Sequence, residues 1–379
     1  MTAPVKILHL HSTFSLGGKE ARAVQIMNDF GDRAAHTIVS AMPDALGARE
    51  AIADGIAVDF PKDAPPLAGR PGRARFKALA DYMRGFDLVL SYNWGAMDGV
   101  MAHRLGKGLP PIIHHEDGFN VDEADGLKVS RNWYRRFAFP TLYRLVVPSR
   151  TLEEIANSSW KQPDGRIDRI DNGIAVERYA APPEPETIPG FERRPGEVVV
   201  GTIAGLREVK DIPRLVSAVA SLPDHIRLVV VGEGPERGAI ELAVKDHGAA
   251  DRVLLAGFLD RPWRYVGHFD IFALSSKSEQ FPISVVEAMA AGLPIAAPAV
   301  GDIANMVAEP NTPFIVPPDS GAAGLAQAIE TLAASQNLRE TVGAANRARA
   351  VSDYDERTML ERYRALYGDA LERNDLFAR

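Results

Sequence analysis

Glu279 and Glu287 lie in the stretch Ser275-Ser-Lys-Ser-Glu279-Gln-Phe-Pro-Ile-Ser-Val-Val-Glu287-Ala-Met-Ala-Ala-Gly292-Leu-Pro294, and their neighbours define what the two carboxylates can do. The short apolar run Asp270-Ile-Phe-Ala-Leu274 predicts a buried strand. Small polar residues then predict a loop, and Pro282 suits a first helical turn, where its missing N–H has no partner to lose. Val286, Met289, Ala290 and Leu293 recur at helical spacing on one apolar face, and Gly292 with Pro294 supplies the stop. A strand that enters a polar loop and a helix N-terminus gathers free N–H groups and the positive end of the helix dipole at one spot, which suits an anion such as phosphate. Carboxylates repel phosphate, so Glu279 and Glu287 would face hydroxyl groups, accepting hydrogen bonds from a sugar or a ribose. Phosphate-binding and hydroxyl-binding groups on one loop describe a site for a nucleotide-sugar. The competing structural account makes Ser284 and Glu287 a Ser-x-x-Glu capping box and Glu279 a solvated loop residue.

Three further segments carry chemistry. The strand Val198-Val-Val-Gly-Thr-Ile203 runs into Ala204-Gly-Leu-Arg207-Glu-Val-Lys210-Asp, and a basic pair at a strand-to-helix loop can neutralise a departing diphosphate. Pro110-Pro-Ile-Ile-His114-His115-Glu116-Asp117-Gly118 places two histidines and two acids at a strand's C-terminal end. No other His/Asp cluster with ligand spacing accompanies them, so a metal is not expected. Gly17-Gly18, after the strand Val5–Leu10 and before a helix from about Ala21 to Phe30, lets the backbone approach a ligand at a helix start. The segment Gly232-Glu-Gly234-Pro-Glu-Arg237-Gly238 lacks the third glycine of a dinucleotide fingerprint, which argues against a dehydrogenase.

These segments need scaffolds. Short strands alternate with helical stretches along the chain, which predicts doubly wound parallel sheets. At 379 residues the chain suits two domains, and the proline-dense stretch from Ala181 to Gly196 is the natural boundary. Hydrophobic content of 46% and charged content of 25% are those of a globular protein. A net charge of −7 argues against bulk attraction to nucleic acid or to anionic lipid, leaving only local patches for such partners, and the absence of cysteine excludes disulfides, thiolate metal sites and a cysteine nucleophile. The N-terminus enters a strand at once, without signal-peptide character, and no run approaches the roughly 20 apolar residues of a membrane helix. The expected setting is the cytoplasm, at most peripheral on the inner face of the cell membrane.

Glu-x7-Glu followed by Ala-Met-Ala-Ala-Gly-Leu-Pro resembles the signature of the retaining glycosyltransferases of family 4, the glycosyl transferases group 1. The likeness extends to Gly17-Gly18-x-Glu20, Asn172-Gly173-Ile174, the Lys210 loop and the Gly-Glu-Gly-Pro turn. It implies the GT-B fold, an α/β architecture of two doubly wound Rossmann-like domains facing a cleft. On this chain that gives an acceptor-side domain at 1–180, a nucleotide-sugar domain at 181–354 and a helix over 355–379 crossing back to the first. The resemblance implies retaining transfer of a sugar, a hexose expected, from a nucleoside diphosphate-sugar, UDP-sugar favoured, to a cell-envelope glycolipid or polysaccharide, with neither metal nor cofactor. In it Lys210 and Arg207 hold the diphosphate, although Gly205 occupies the usual arginine position and Asp211 the usual glycine. The N–H groups of Phe281 and Ile283 assist where Pro282 cannot, Glu287 binds ribose, Gly257 and Phe258 sit at the base, and Gly17 and Gly18 lie beside the diphosphate. Glu279 contacts the transferred sugar, and so does one of Asp117, His114 and His115; aligning the glycine step selects Asp117, aligning the strand end selects a histidine. A sugar-nucleotide epimerase or a non-catalytic nucleotide-sugar-binding scaffold would share this architecture.

Residues 128–144 combine Lys128, Arg131, Arg135, Arg136 and Arg144 with Trp133, Tyr134, Phe137, Phe139 and Tyr143, uninterrupted by any acid. Together with Arg70, Arg73, Arg75 and Lys77 they predict a basic aromatic face for an anionic membrane or a lipid-linked acceptor. The alternative is a helix with its aromatics in the core and its arginines in water.

Overall fold

The computed structural model describes residues 3–69, 71–119, 123, 126–373, 376 and 377. Runs such as Val198–Val200 and Leu228–Val231 are apolar on successive residues, and their burial on both faces suits a parallel sheet covered by helices. The chain forms two units, Met1–Asn172 with Met359–Arg379, and Gly173–Thr358.

In the first unit, strands β1 (Val5–His11), β2 (Ala34–Ser40), β3 (Ala57–Asp59), β4 (Leu88–Tyr92), β5 (Ile112–His115), β6 (Arg144–Val147) and β7 (Ile167–Arg169) are all parallel. Their order is β3-β2-β1-β4-β5-β6-β7. In the second, β8 (Val198–Ile203), β9 (Ile226–Val231), β10 (Val253–Gly257), β11 (Ile271–Ala273), β12 (Ile295–Pro298) and β13 (Ile315–Val316) run parallel in the order β10-β9-β8-β11-β12-β13. Strand order therefore reverses between β1 and β4 in one sheet and between β8 and β11 in the other. Loops leaving the carboxyl ends of strands at such a reversal diverge and leave a crevice, the usual ligand site of doubly wound sheets. Both sequence-selected loops of the second unit, after β8 and after β11, flank its reversal point.

The division falls earlier than the proline-dense stretch. Ile174, Val176 and Tyr179 are buried in the core of the second unit with Phe272, Val285 and Met289, which carries residues 173–180 into that unit. Ile174 pairs with Asp355, and a Cβ on Gly173 would come 2.8 Å from the Glu356 Cα, so the Asn-Gly step answers a close backbone approach, not a positive φ. The helix Glu356–Ala370 then returns the chain to the first unit, burying Met359, Leu360, Tyr363, Leu366 and Tyr367 against Ile7, Leu90 and Ile113.

Candidate active site

The loop after β8 and the loop after β11 are laced together. Ser275 Oγ donates to the Lys210 carbonyl at 2.9 Å, the Lys277 N–H donates to the Val209 carbonyl at 2.8 Å, and the Arg214 guanidinium caps the Ser275 carbonyl. This lacing brings Lys210 to Glu279 across 69 residues of sequence: Nζ donates to Oε1 at 2.5 Å, and Ser276 Oγ donates to the same oxygen at 2.6 Å. The two side chains are 15% and 9% exposed, sheltered enough for their charges to act at short range and open enough to meet a ligand. Arg207 lies in the same loop and is exposed.

Asp211, the residue in the place of a glycine, keeps the left-handed backbone a glycine would adopt, with φ of 48°, and its carboxylate lies 3.3 Å from Arg214. An aspartate visits that region with less strain than most side chains do. The departure from the family pattern therefore changes the side chain and leaves the turn intact.

The helix after the second loop runs Ile283–Ala290 with Pro282 at its N-cap. The N–H groups of Phe281 and Ile283 make no hydrogen bond among the described residues, so this N-terminus retains donors for an anion. The Phe281 ring itself points into the core, edge-on to Tyr354 at 5.5 Å. Gly301, at φ 56°, lies behind the loop: a Cβ there would fall 2.1 Å from the Glu279 carbonyl oxygen, and the next residue's N–H donates to the Gln280 carbonyl at 3.1 Å. The close approach of Gly301 thus helps to set the backbone of Glu279.

The capping box does not form. Glu287 Oε1 accepts from the Tyr179 hydroxyl at 3.0 Å, and the N-cap is a proline without a capping side chain. Burial pushes the Glu287 carboxyl up to about 7, against the pull of the tyrosine hydrogen bond. A carboxylate poised near neutrality with one oxygen engaged can hold a hydroxyl-bearing ligand with the other. Tyr179 and Ser276 carried no signal of this role in the sequence. At the end of β10, Gly257 has φ of 78° and Phe258 is 69% exposed, an aromatic face available for stacking.

In the first unit, the ends of β1, β4 and β5 meet around Arg22. Its guanidinium pairs with Asp117, donating to Oδ2 at 2.8 Å, and Nη1 donates to Asn172 Oδ1 at 2.8 Å. Asn93 Oδ1 accepts from the Asp117 N–H at 2.7 Å. Glu20 is buried beside Lys19, its carboxyl raised by that burial, and a Cβ on Gly17 would press within 3.0 Å of Glu20 Oε2. The helix begins at Gly18, three residues before the expected start.

Both histidines of β5 are enclosed. His114 shares a 2.9 Å hydrogen bond with Ser91 Oγ. His115 donates from Nδ1 to the Ser91 carbonyl at 3.3 Å, which leaves Nε2 to accept from the Tyr367 hydroxyl at 2.9 Å; burial holds its pKa well below the usual histidine value. With 0% and 1% exposure they reach no ligand surface, whereas the Asp117 side chain is 13% exposed. Of the three alternatives, only Asp117 stands at the strand-end surface of its unit. Sequence reading missed Arg22, a base in the first turns of the helix with nothing in its spacing to mark it.

The basic aromatic stretch is divided in two. Arg135 is buried against Trp94 and Trp160 at 5.0 and 4.8 Å and donates to Glu116 at 3.1 Å, and Arg131 pairs with Glu123 at 2.7 Å. Those two arginines therefore belong to the interior network rather than to a basic surface. Arg75 pairs with Asp98 and Lys77 with Asp81, which neutralises two members of that cluster, while Arg73 is exposed and Arg70 lies outside the described residues.

Residues 184–349 match the family model described as glycosyl transferases group 1. Over 172 residues, 43% of this chain and 44% of the relative, the sequence is 33% identical to a 2-deoxystreptamine glucosyltransferase of Streptomyces kanamyceticus. It is 28% identical to an N-acetyl-alpha-D-glucosaminyl L-malate synthase of Bacillus anthracis over 46% of each chain. These matches span about half the length of the curated relatives. The fold matches the Anabaena protein HepE, solved in complex with UDP and glucose, with a TM-score of 0.77 at 19% identity, covering 96% of this chain and 100% of that one.

Proposed function

Because residues 184–349 are a group 1 glycosyl transferase domain on a GT-B fold, we propose that this chain transfers a sugar, a hexose, from a nucleoside diphosphate-sugar to a glycan or lipid-linked acceptor of the cell envelope, with retention of configuration. The observation that carries the reading is the Lys210–Glu279–Ser276 constellation held at the strand-order reversal of the second sheet. UDP is the favoured carrier, in keeping with the nucleotide seen in the HepE complex.

In this reading the diphosphate lies between Lys210, Arg207 and the free N–H groups of Phe281 and Ile283. As the bond from the sugar to the diphosphate breaks, negative charge grows on the leaving group, and fixed cations and dipoles stabilise that charge more than they stabilise the bound donor. Lys210 is already oriented by Glu279, so little reorganisation is needed when the phosphate shares the cation. The free oxygen of Glu279 accepts from hydroxyls of the transferred sugar, Glu287 from those of the ribose, and Phe258 stacks on the base. Within the first unit, Asp117, clamped by Arg22, is proposed as a hydroxyl-binding group. The reading calls on no metal and no cofactor.

The test uses a panel of nucleotide-sugars with glycan and glycolipid acceptors, scored by nucleotide release and by labelled product. Lys210→Ala is expected to lower turnover about a hundredfold, the effect of removing one charge-assisted contact of about 3 kcal/mol, with the circular dichroism spectrum unchanged. Turnover near wild type in that variant would remove the site assignment. Release of an altered sugar without any acceptor would make the chain an epimerase instead.

A further inference from the structure

The helix Val129–Ala138 leaves an apolar ridge uncovered. Val129, Trp133 and Phe137 are 71%, 63% and 55% exposed at successive positions four residues apart, a line about 12 Å long on one side of the helix. Leu105, at the end of the neighbouring helix Met97–Leu105, is 56% exposed and extends the same ground, since the Arg104 guanidinium lies over the Phe137 ring at 5.7 Å. Exposed large apolar side chains that gather, rather than scatter, mark a surface with a partner.

The charge around the ridge says what kind. Arg136 stacks on Trp133 at 4.9 Å, and Arg104 and Lys107 are exposed. Neither residues 99–115 nor residues 126–149 contain an acid, in a chain whose net charge is −7. A ridge ringed by cations cannot readily meet a second copy of itself, because a symmetric contact would set arginine against arginine. An anionic bilayer supplies both complements at once: its interfacial layer accepts Trp and Phe, and its headgroups pair with the flanking bases.

We infer that the face formed by Val129, Trp133, Phe137 and Leu105, with Arg104, Lys107 and Arg136 around it, is a docking surface for an anionic lipid bilayer. The apolar side chains insert at the headgroup boundary while the arginines and lysines stay at the phosphate level. Arg131 and Arg135, buried or paired with Glu123 and Glu116, hold the helix in place from behind. This surface needs no nucleotide-sugar and stands whether or not the transferase reading does.

Co-sedimentation of the whole chain tests it, with vesicles of equal parts phosphatidylcholine and phosphatidylglycerol beside vesicles of phosphatidylcholine alone. Wild type is expected to partition onto the anionic vesicles only, and less so as salt is added. A Trp133→Ser/Phe137→Ser variant and, separately, an Arg104→Glu/Lys107→Glu variant are each expected to bind at least about tenfold more weakly with unchanged melting temperature. Equal partition onto both vesicle types, no partition onto either, or undiminished binding by both variants would overturn the proposal. So would loss of a wild-type dimer in the serine variant, which would assign the ridge to a second copy.

Discussion

Replacing Glu287 by glutamine tests whether this carboxyl is held near neutrality by its burial. A carboxyl raised from 4.5 to about 7 binds protons more tightly in the folded chain than in the unfolded one. The folded state is therefore favoured by low pH, and the group's contribution to stability falls as pH rises from about 4.5 through 7. At about 1.4 kcal/mol per pH unit the whole displacement corresponds to about 3.5 kcal/mol, and partial solvent access reduces the measurable effect to about 1–2 kcal/mol. Glutamine keeps an oxygen for the Tyr179 hydroxyl and removes the charge, so Glu287→Gln should be more stable than wild type at pH 8 and no more stable at pH 5. Urea melts of both proteins from pH 5 to pH 8.5, followed by a probe in the second unit, measure the difference directly and cancel the contribution of histidines elsewhere. The functional arm has the opposite sign. Only the ionised carboxylate pairs strongly with ribose hydroxyls, so wild-type affinity for the donor should improve as pH rises through about 7 and the variant's should not. A stability difference that stays constant across this range would refute the assignment of the perturbed carboxyl to Glu287.

Two other substitutions probe the backbone beneath the site. Gly301→Ala would force a methyl group to within 2.1 Å of the Glu279 carbonyl oxygen at a φ of 56°, so turnover should fall about a hundredfold through displacement of Glu279 while most of the melting temperature is kept; wild-type turnover would show that the loop position is immaterial. At position 211, where φ is 48°, glycine should stabilise the chain by about 0.5 kcal/mol and alanine destabilise it by about 1 kcal/mol, an order of Gly, Asp, Ala in urea midpoints that any other ranking would contradict.

The fold was legible in the sequence because its signals are local. Runs such as Val198–Val200 and Leu228–Val231 are apolar on successive residues, and the stretches between them carry helical periodicity; together these specify parallel strands with crossover helices. The loop after β11 and its helix could be read the same way, from Pro282, the apolar face and Gly292. Lys210 and Glu279 were each identifiable as ligand-binding types at strand ends. Gly257 and Phe258 were identified through family resemblance, and the structure adds that the phenylalanine is exposed.

What tertiary structure alone decided is which side chains face one another. The 2.5 Å contact of Lys210 with Glu279, the pairing of Tyr179 with Glu287 and the clamp of Arg22 on Asp117 join residues 69, 108 and 95 positions apart, through strand order and loop lacing that no local pattern encodes. Burial is likewise a property of the whole unit: His114 and His115 have the chemistry of ligands and the solvent exposure of core residues, and Arg135 has the composition of a surface base and the partners of an interior one. Residue type sets what a group can do, and packing of distant elements sets its neighbours and its protonation, because desolvation and hydrogen bonding act through space and not along the chain.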